Sequence, residues 1–110
     1  MLKELVVTYD RRLKQTNVSI NTLEVVKETE KTFRVSTCSL YLSVIRKTEL
    51  NTLLEAHFGY TYVCFFTDDS MMDSLLDLVA QHIESKIGYL EEEMDRYQCI
   101  HAKLTERGIE

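Results

Sequence analysis

Arg11, Arg12 and Lys14 fall within one four-residue stretch, Arg34 stands between Phe33 and Val35, and Arg46 and Lys47 are adjacent. Guanidinium and ammonium groups placed this way can hold phosphate oxygens, the guanidinium through paired N–H donors. Tyr41 and Tyr62, with Tyr9 and Tyr60 nearby in sequence, add flat rings on which a planar group or a cation can stack. Arg34, Arg46, Lys47, Tyr41, Tyr62, Arg11 and Arg12 are therefore the expected binding residues for an anionic, nucleotide-type ligand. The competing explanation is plain: clustered charges most often form a solvated face.

Other chemistries find less support. His57, His82 and His101 lie far apart, and neither an HExxH nor a CxxC spacing occurs, so no metal site is expected. Glycines at 59, 88 and 108 cannot build a phosphate loop or a dinucleotide-binding turn, and no cofactor is expected. Carboxylates are plentiful, but general acid–base work needs two that converge with perturbed pKa values, and their spacing places most on the outside of a helix. A small hydrolase thus ranks last among the functional readings, and no catalytic residue is assigned. Cys38, Cys64 and Cys99 form an odd, scattered set that does not make a disulfide framework; Cys64 reads as core. The expected compartment is reducing and cytoplasmic. The first residues lack the apolar run of a secretion signal, and the longest apolar run, Tyr62 to Phe66, is too short to span a bilayer.

These residues must be positioned by a chain of 110 residues, which suits a single domain with a small core. Its net charge of −5 conceals an asymmetry. Residues 1–47 carry nine Lys/Arg against five Asp/Glu, and residues 48–110 carry four against thirteen. A basic front half suits an anion or an acidic partner. The acidic pI and the lack of a basic helix disfavour sequence-specific DNA recognition.

Alternation predicts strands over Lys3–Tyr9, Val18–Lys27, Thr32–Thr37, Ser39–Arg46 and Tyr60–Thr67, the last apolar on both faces and hence central. Thr48 as an N-cap predicts a short helix near 49–56 that ends before Gly59. The expected fold class is α+β: an antiparallel sheet of four to five strands, one short helix, and a long C-terminal amphipathic helix. Residues 1–67 are mainly β and 69–107 are helical within one domain, 1–110.

The helix carries the strongest pattern. Ser70 and Asp73 suggest a capping box at its start, and Arg107-Gly108 a stop. Between them Met72, Leu76, Val79, Ile83, Ile87, Leu90, Met94, Tyr97, His101 and Leu104 follow steps of three and four, with one extra step at Ile83–Ile87. Acids at Asp77, Glu84, Glu91, Glu92, Asp95 and Glu106 take the other side. About 38 helical residues would span about 57 Å, whereas a compact domain of this size is about 35 Å across. The surplus apolar stripe predicts a seam to a second copy. Gly88 is the position where the helix could break instead.

In plan the chain resembles small proteins carried by phages and prophages of Gram-positive bacteria. The resemblance rests on the hairpin Lys27–Val35 (Lys-Glu-Thr-Glu-Lys-Thr-Phe-Arg-Val), the aromatic strand Tyr60–Thr67 and the Glu-rich terminal helix; hairpin and helix cover about half the chain. It implies an anti-defence role, either sequestering a cyclic-nucleotide signal in an oligomer or blocking a host defence protein such as a CRISPR nuclease. The first expectation is a non-enzymatic, homo-oligomeric binding protein with a nucleotide-like ligand. The alternative is an inhibitor or adaptor whose acidic helix docks on a basic partner.

Overall fold

The computed structural model describes residues 1–106. The fold is α+β: two antiparallel sheets, of four and three strands, and one long C-terminal helix, α1 (Met72–Glu106). The chain divides into two units, Met1–Val79 and the part from Ala80 onward.

In the first unit, β1 (Lys3–Asp10) pairs with β2 (Gln15–Thr22), and the larger sheet has the order β2-β1-β7-β6, with β6 at Leu54–Ala56 and β7 at Thr61–Phe66. The smaller sheet has the order β3-β4-β5: β3 (Val25–Glu28), β4 (Thr32–Val35) and β5 (Val44–Arg46). Every residue of β7 is buried, as expected of a central strand covered on both sides.

The alternation of the strands sorts their side chains into two layers. Val6, Val63 and Phe65 from the larger sheet, with Leu2 just ahead of β1, form one cluster with Phe33, Val35 and Ile45 from the smaller sheet, and Leu23 and Cys38 belong to it. Ile45, Val63 and Phe65 have no exposed surface; truncating a core residue of this kind to alanine costs about 2–5 kcal/mol. On the other face of the larger sheet Leu5, Tyr62, Cys64 and Phe66 are buried, as are Leu75 and Val79 in the first two turns of α1. Lys3 Nζ ties β1 to the approach of that helix through Asp69 Oδ1 at 2.8 Å.

Several sequence expectations change here. Seven strands replace the four or five expected, and they form two sheets rather than one. The strand expected over Val18–Lys27 is two strands in different sheets, because the chain turns at Leu23 and Glu24, where Leu23 N donates to Leu2 O at 2.9 Å and its side chain enters the core. The segment 39–46 is mostly loop; only Val44–Arg46 is strand. The short helix near 49–56 does not form. A 3-10 turn at Lys47–Glu49 precedes Asn51, whose left-handed φ of 60° stops any helix, and Leu54–Ala56 pairs with β7 instead. The helix cap is Asp68, not Ser70 with Asp73: Asp68 Oδ1 accepts from Ser70 N at 2.9 Å and from Ser70 Oγ at 2.8 Å. Those two bonds hold the Asp68 carboxyl below its ordinary range.

α1 runs unbroken for 35 residues through Gly88, a length of about 52 Å. Arg107-Gly108 lies outside the described residues.

Candidate functional site

Arg34 and Arg46 do share a surface. Lys27 pairs with Arg34, Arg34 with Val44, and Thr32 with Arg46, so Lys27, Arg34 and Arg46 lie on one face of the smaller sheet, opposite buried Phe33 and Ile45. Lys47, one residue on, turns to the other side. Its ammonium lies over the Phe33 ring at 5.0 Å and pairs with Glu28 Oε2 at 2.8 Å. Lys47 is therefore engaged by its own chain and off the face that carries Arg34, although it lines one cavity with Arg46 and Lys31.

The two expected stacking rings also separate. Tyr62 is only 6% exposed, inside β7, so no ligand can stack on it without opening the core. Tyr41 is exposed in the loop between β4 and β5, with a left-handed φ of 58°. The exposed face of the smaller sheet thus offers cations without an aromatic ring among them, since Phe33 of its ladder is buried on the other face.

Arg11 and Arg12 fare differently. They belong to the turn between β1 and β2, where Asp10 Oδ1 accepts from Arg12 N and Leu13 N at 2.9 and 3.1 Å. This side-chain cap stands in for a backbone turn bond. Lys14 closes the turn with a φ of 53°. The turn between β6 and β7 lies at the same end of the larger sheet, since Tyr9 N donates to Tyr60 O at 2.8 Å. Arg11 places its guanidinium 5.4 Å from the Tyr60 ring centroid, and Tyr60 stacks on Tyr9 at 6.2 Å and 19°. A guanidinium held over a ring keeps its charge while losing less freedom on binding an anion.

The β6–β7 turn adds a ring that sequence reasoning missed. His57, Phe58 and Gly59 are all left-handed, with φ of 54°, 58° and 86°, and Phe58 is 103% exposed. A bulky residue in that region is strained, and such strain gathers at binding and catalytic positions. Among the described residues nothing covers this phenyl ring. The available signal was Gly59 directly after two residues that rarely form turns. One end of the larger sheet therefore carries two neighbouring turns, one with Arg11, Arg12 and Lys14 and the other with His57 and Phe58, linked by the Arg11–Tyr60–Tyr9 stack.

Among the described residues the buried carboxylate is Glu4. Its oxygens accept from Asn21 Nδ2 at 3.1 Å, Ser39 N at 3.1 Å and Ser39 Oγ at 2.7 Å, which ties β1 to the β4–β5 loop. These donors satisfy the charge and give Glu4 a structural task. Burial pushes the Cys64 thiol up to about 11, so it stays protonated at neutral pH and is a poor nucleophile. Among the described residues no group of three His, Cys, Asp or Glu side chains comes together to hold a metal.

The stripe on α1 divides. Val79 is buried in the first unit, together with Leu75, which the heptad reading left off the stripe. Met72 and Ile83 are partly covered, and Leu76 is exposed. Ile87, Leu90, Met94, Tyr97 and Leu104 are 50–60% exposed, as is Ile100 beside them, and His101 is also exposed.

The chain matches no family model, no curated protein and no solved structure. No described helix is long and apolar enough to cross a membrane.

Proposed function

We propose that this chain is a non-enzymatic binding protein that assembles with copies of itself through the distal part of α1 and takes an anionic, nucleotide-type ligand at the Arg11–Phe58 end of its larger sheet. The carrying observation is the run of half-exposed apolar residues from Ile87 to Leu104, held on one side of an unbroken helix. Such a run on a helix is the pattern of a coiled-coil seam. Burying the remaining exposed half of six side chains in each of two copies contributes on the order of 10 kcal/mol. Association costs about 4–15 kcal/mol, so the seam alone supports a concentration-dependent pairing rather than a permanent one.

The ligand follows from the chemistry of the sheet end. Arg11, Arg12 and Lys14 supply phosphate donors, and Phe58 supplies a ring for a base. Sequestration of a nucleotide-type signal is the outcome in keeping with the resemblance to phage anti-defence proteins.

Light scattering and a thermal-shift panel of mono-, di- and cyclic nucleotides test the two halves separately. The expected results are a mass above one chain that falls on Leu90→Glu/Tyr97→Glu, and a rise in Tm with at least one nucleotide that Arg11→Ala/Arg12→Ala removes and Arg34→Ala/Arg46→Ala leaves. A strictly monomeric wild type refutes the seam. No shift with any nucleotide at millimolar concentration refutes the ligand class.

A second reading is favoured by the exposure of Glu91, Glu92 and Asp95 along the distal helix: docking on a basic surface of another protein, such as a host defence nuclease. It predicts salt-sensitive binding that is lost when those three acids are reversed to lysine.

A further inference from the structure

Three of the four sheet edges carry a feature that deters further strand pairing. β6 and β5 are only three residues long, and they include Glu55 and Arg46 respectively. β3 has a register shift between Val25 and Lys27 and carries Lys27 and Glu28. Short strands, charges and bulges are the ordinary protections of an edge.

β2 has none of them. It is eight residues long, pairs with β1 in unbroken register from Lys3↔Thr22 to Asp10↔Gln15, and is exposed along its whole length. From Gln15 to Leu23 there is no charge, proline or glycine. Val18 and Ile20 project from it at 57% and 42% exposure.

The hydrogen-bond register shows what this edge offers. Leu23 N donates to Leu2 O, and bonded pairs alternate along an antiparallel ladder. The odd-numbered residues of β2 therefore bond inward to β1. The N–H and C=O groups of Thr16, Val18, Ile20 and Thr22 point outward. The opposite ladder agrees, since Tyr9 N donates to Tyr60 O and places the odd-numbered residues of β1 toward β7.

We propose that the outer edge of β2 pairs antiparallel with β2 of a second copy, about a two-fold axis at Ser19. In that register Val18 faces Ile20 of the other copy, Thr16 faces Thr22, and Ser19 faces Ser19. All four outward-pointing residues then meet outward-pointing residues, which makes about eight backbone hydrogen bonds. β-Branched residues meet on one face, and Asn17 meets Asn21 on the other. A two-fold interface sets each surface against its own copy, so an edge carrying a net charge would be set against the same net charge. The absence of charge over Gln15–Leu23 is what self-pairing requires, whereas a strand from a charged partner would find nothing complementary there. The proposal does not depend on the helical seam; with both, the chain has two self-association surfaces of different kinds.

The test is disulfide trapping in the full chain with Cys99→Ser, because Cys38 and Cys64 are buried. Opposed residues in a non-bonded pair have Cα atoms about 4.5 Å apart, within disulfide reach. Ser19→Cys should form a covalent dimer under mild oxidation at least tenfold faster than Asn17→Cys, which faces a different residue. Val18→Pro removes one outward N–H without touching the β1 ladder, and Ile20→Lys sets a charge into the interface. Both should lower the mass in solution. If Val18→Pro fails to fold, Ile20→Lys decides. Equal trapping of the two cysteine variants, or a mass unchanged by Ile20→Lys, overturns the proposal. Trapping at Ser19 should survive Leu90→Glu/Tyr97→Glu, so failure of the seam and failure of the edge are separately visible.

Discussion

Phe58 combines an uncommon backbone with an unburied ring. A left-handed φ costs a non-glycine residue about 1–2 kcal/mol, and a phenyl group in water recovers none of it by packing. Phe58→Gly should therefore raise stability by about 1 kcal/mol, visible as a higher Tm, while nucleotide binding at that end of the sheet weakens. A lower Tm would mean that the ring packs in solution, and unchanged binding would remove Phe58 from the site. Cys64 makes a second residue-scale case. Its folded thiol keeps its proton up to about pH 11, whereas an ordinary thiol ionises near 9.0. The folded state thus binds more protons than the unfolded state across that interval. The associated stability is fully present below pH 9 and is lost as pH rises toward 11. Denaturant midpoints of wild type should fall over this range more steeply than those of Cys64→Ala. At pH 7 a thiol reagent should label Cys99 at once, with Cys38 and Cys64 reacting only on unfolding.

At the scale of elements, α1 was the most legible part of the chain because its apolar residues recur at three and four over many turns, and no local contact has to be known to see that. Gly88 was the one doubtful position. An added Cβ there would meet nothing within 4 Å, so the glycine serves no packing purpose in its own chain. Gly88→Ala should stabilise by about 1 kcal/mol and increase the helical signal at 222 nm. A destabilised variant would show that a neighbouring copy approaches the helix closely at this point. The sheet elements were less legible for identifiable reasons. The β2–β3 turn at Leu23 and Glu24 contains no glycine, proline, asparagine or aspartate, so continuous β-branched spacing hid a change of sheet. Residues 49–56 have adequate helix formers, but pairing of Leu54–Ala56 with β7 overrides that weak preference. The candidate site was half visible. Arg11, Arg12 and Lys14 stand together in sequence, whereas the turn that holds Phe58 reaches the same end of the sheet only through the pairing that brings Tyr60 beside Tyr9.

For the whole molecule, charge predicts opposite salt responses for the proposed assembly and the proposed ligand binding. From Ala80 to Glu106 there are six acids, at Glu84, Glu91, Glu92, Glu93, Asp95 and Glu106, against three bases, at Lys86, Arg96 and Lys103. Each distal helix therefore carries a net −3, and aligning two of them brings like charges together. Screening relieves this repulsion, because the Debye length shortens from about 30 Å at 0.01 M to about 3 Å at 1 M. The strengthening of apolar burial by salting-out ions acts in the same direction. Self-association through the seam should tighten as sodium chloride rises from low to high concentration. An anionic ligand on Arg11, Arg12 and Lys14 should weaken over the same range. Docking of the acidic helix on a basic protein should also weaken, which separates that reading from self-pairing. Sedimentation across a salt series, with nucleotide affinity measured in the same buffers, checks both signs at once. β2 supplies an internal reference: its uncharged edge should pair with little dependence on salt, so Ser19→Cys trapping should stay level while the mass contributed by the seam grows. A seam that loosened with salt would show that the acids of α1 pair with Lys86, Arg96 or Lys103 of the second copy, whereas a mass of one chain at every salt concentration would leave the distal helix as a surface for another protein.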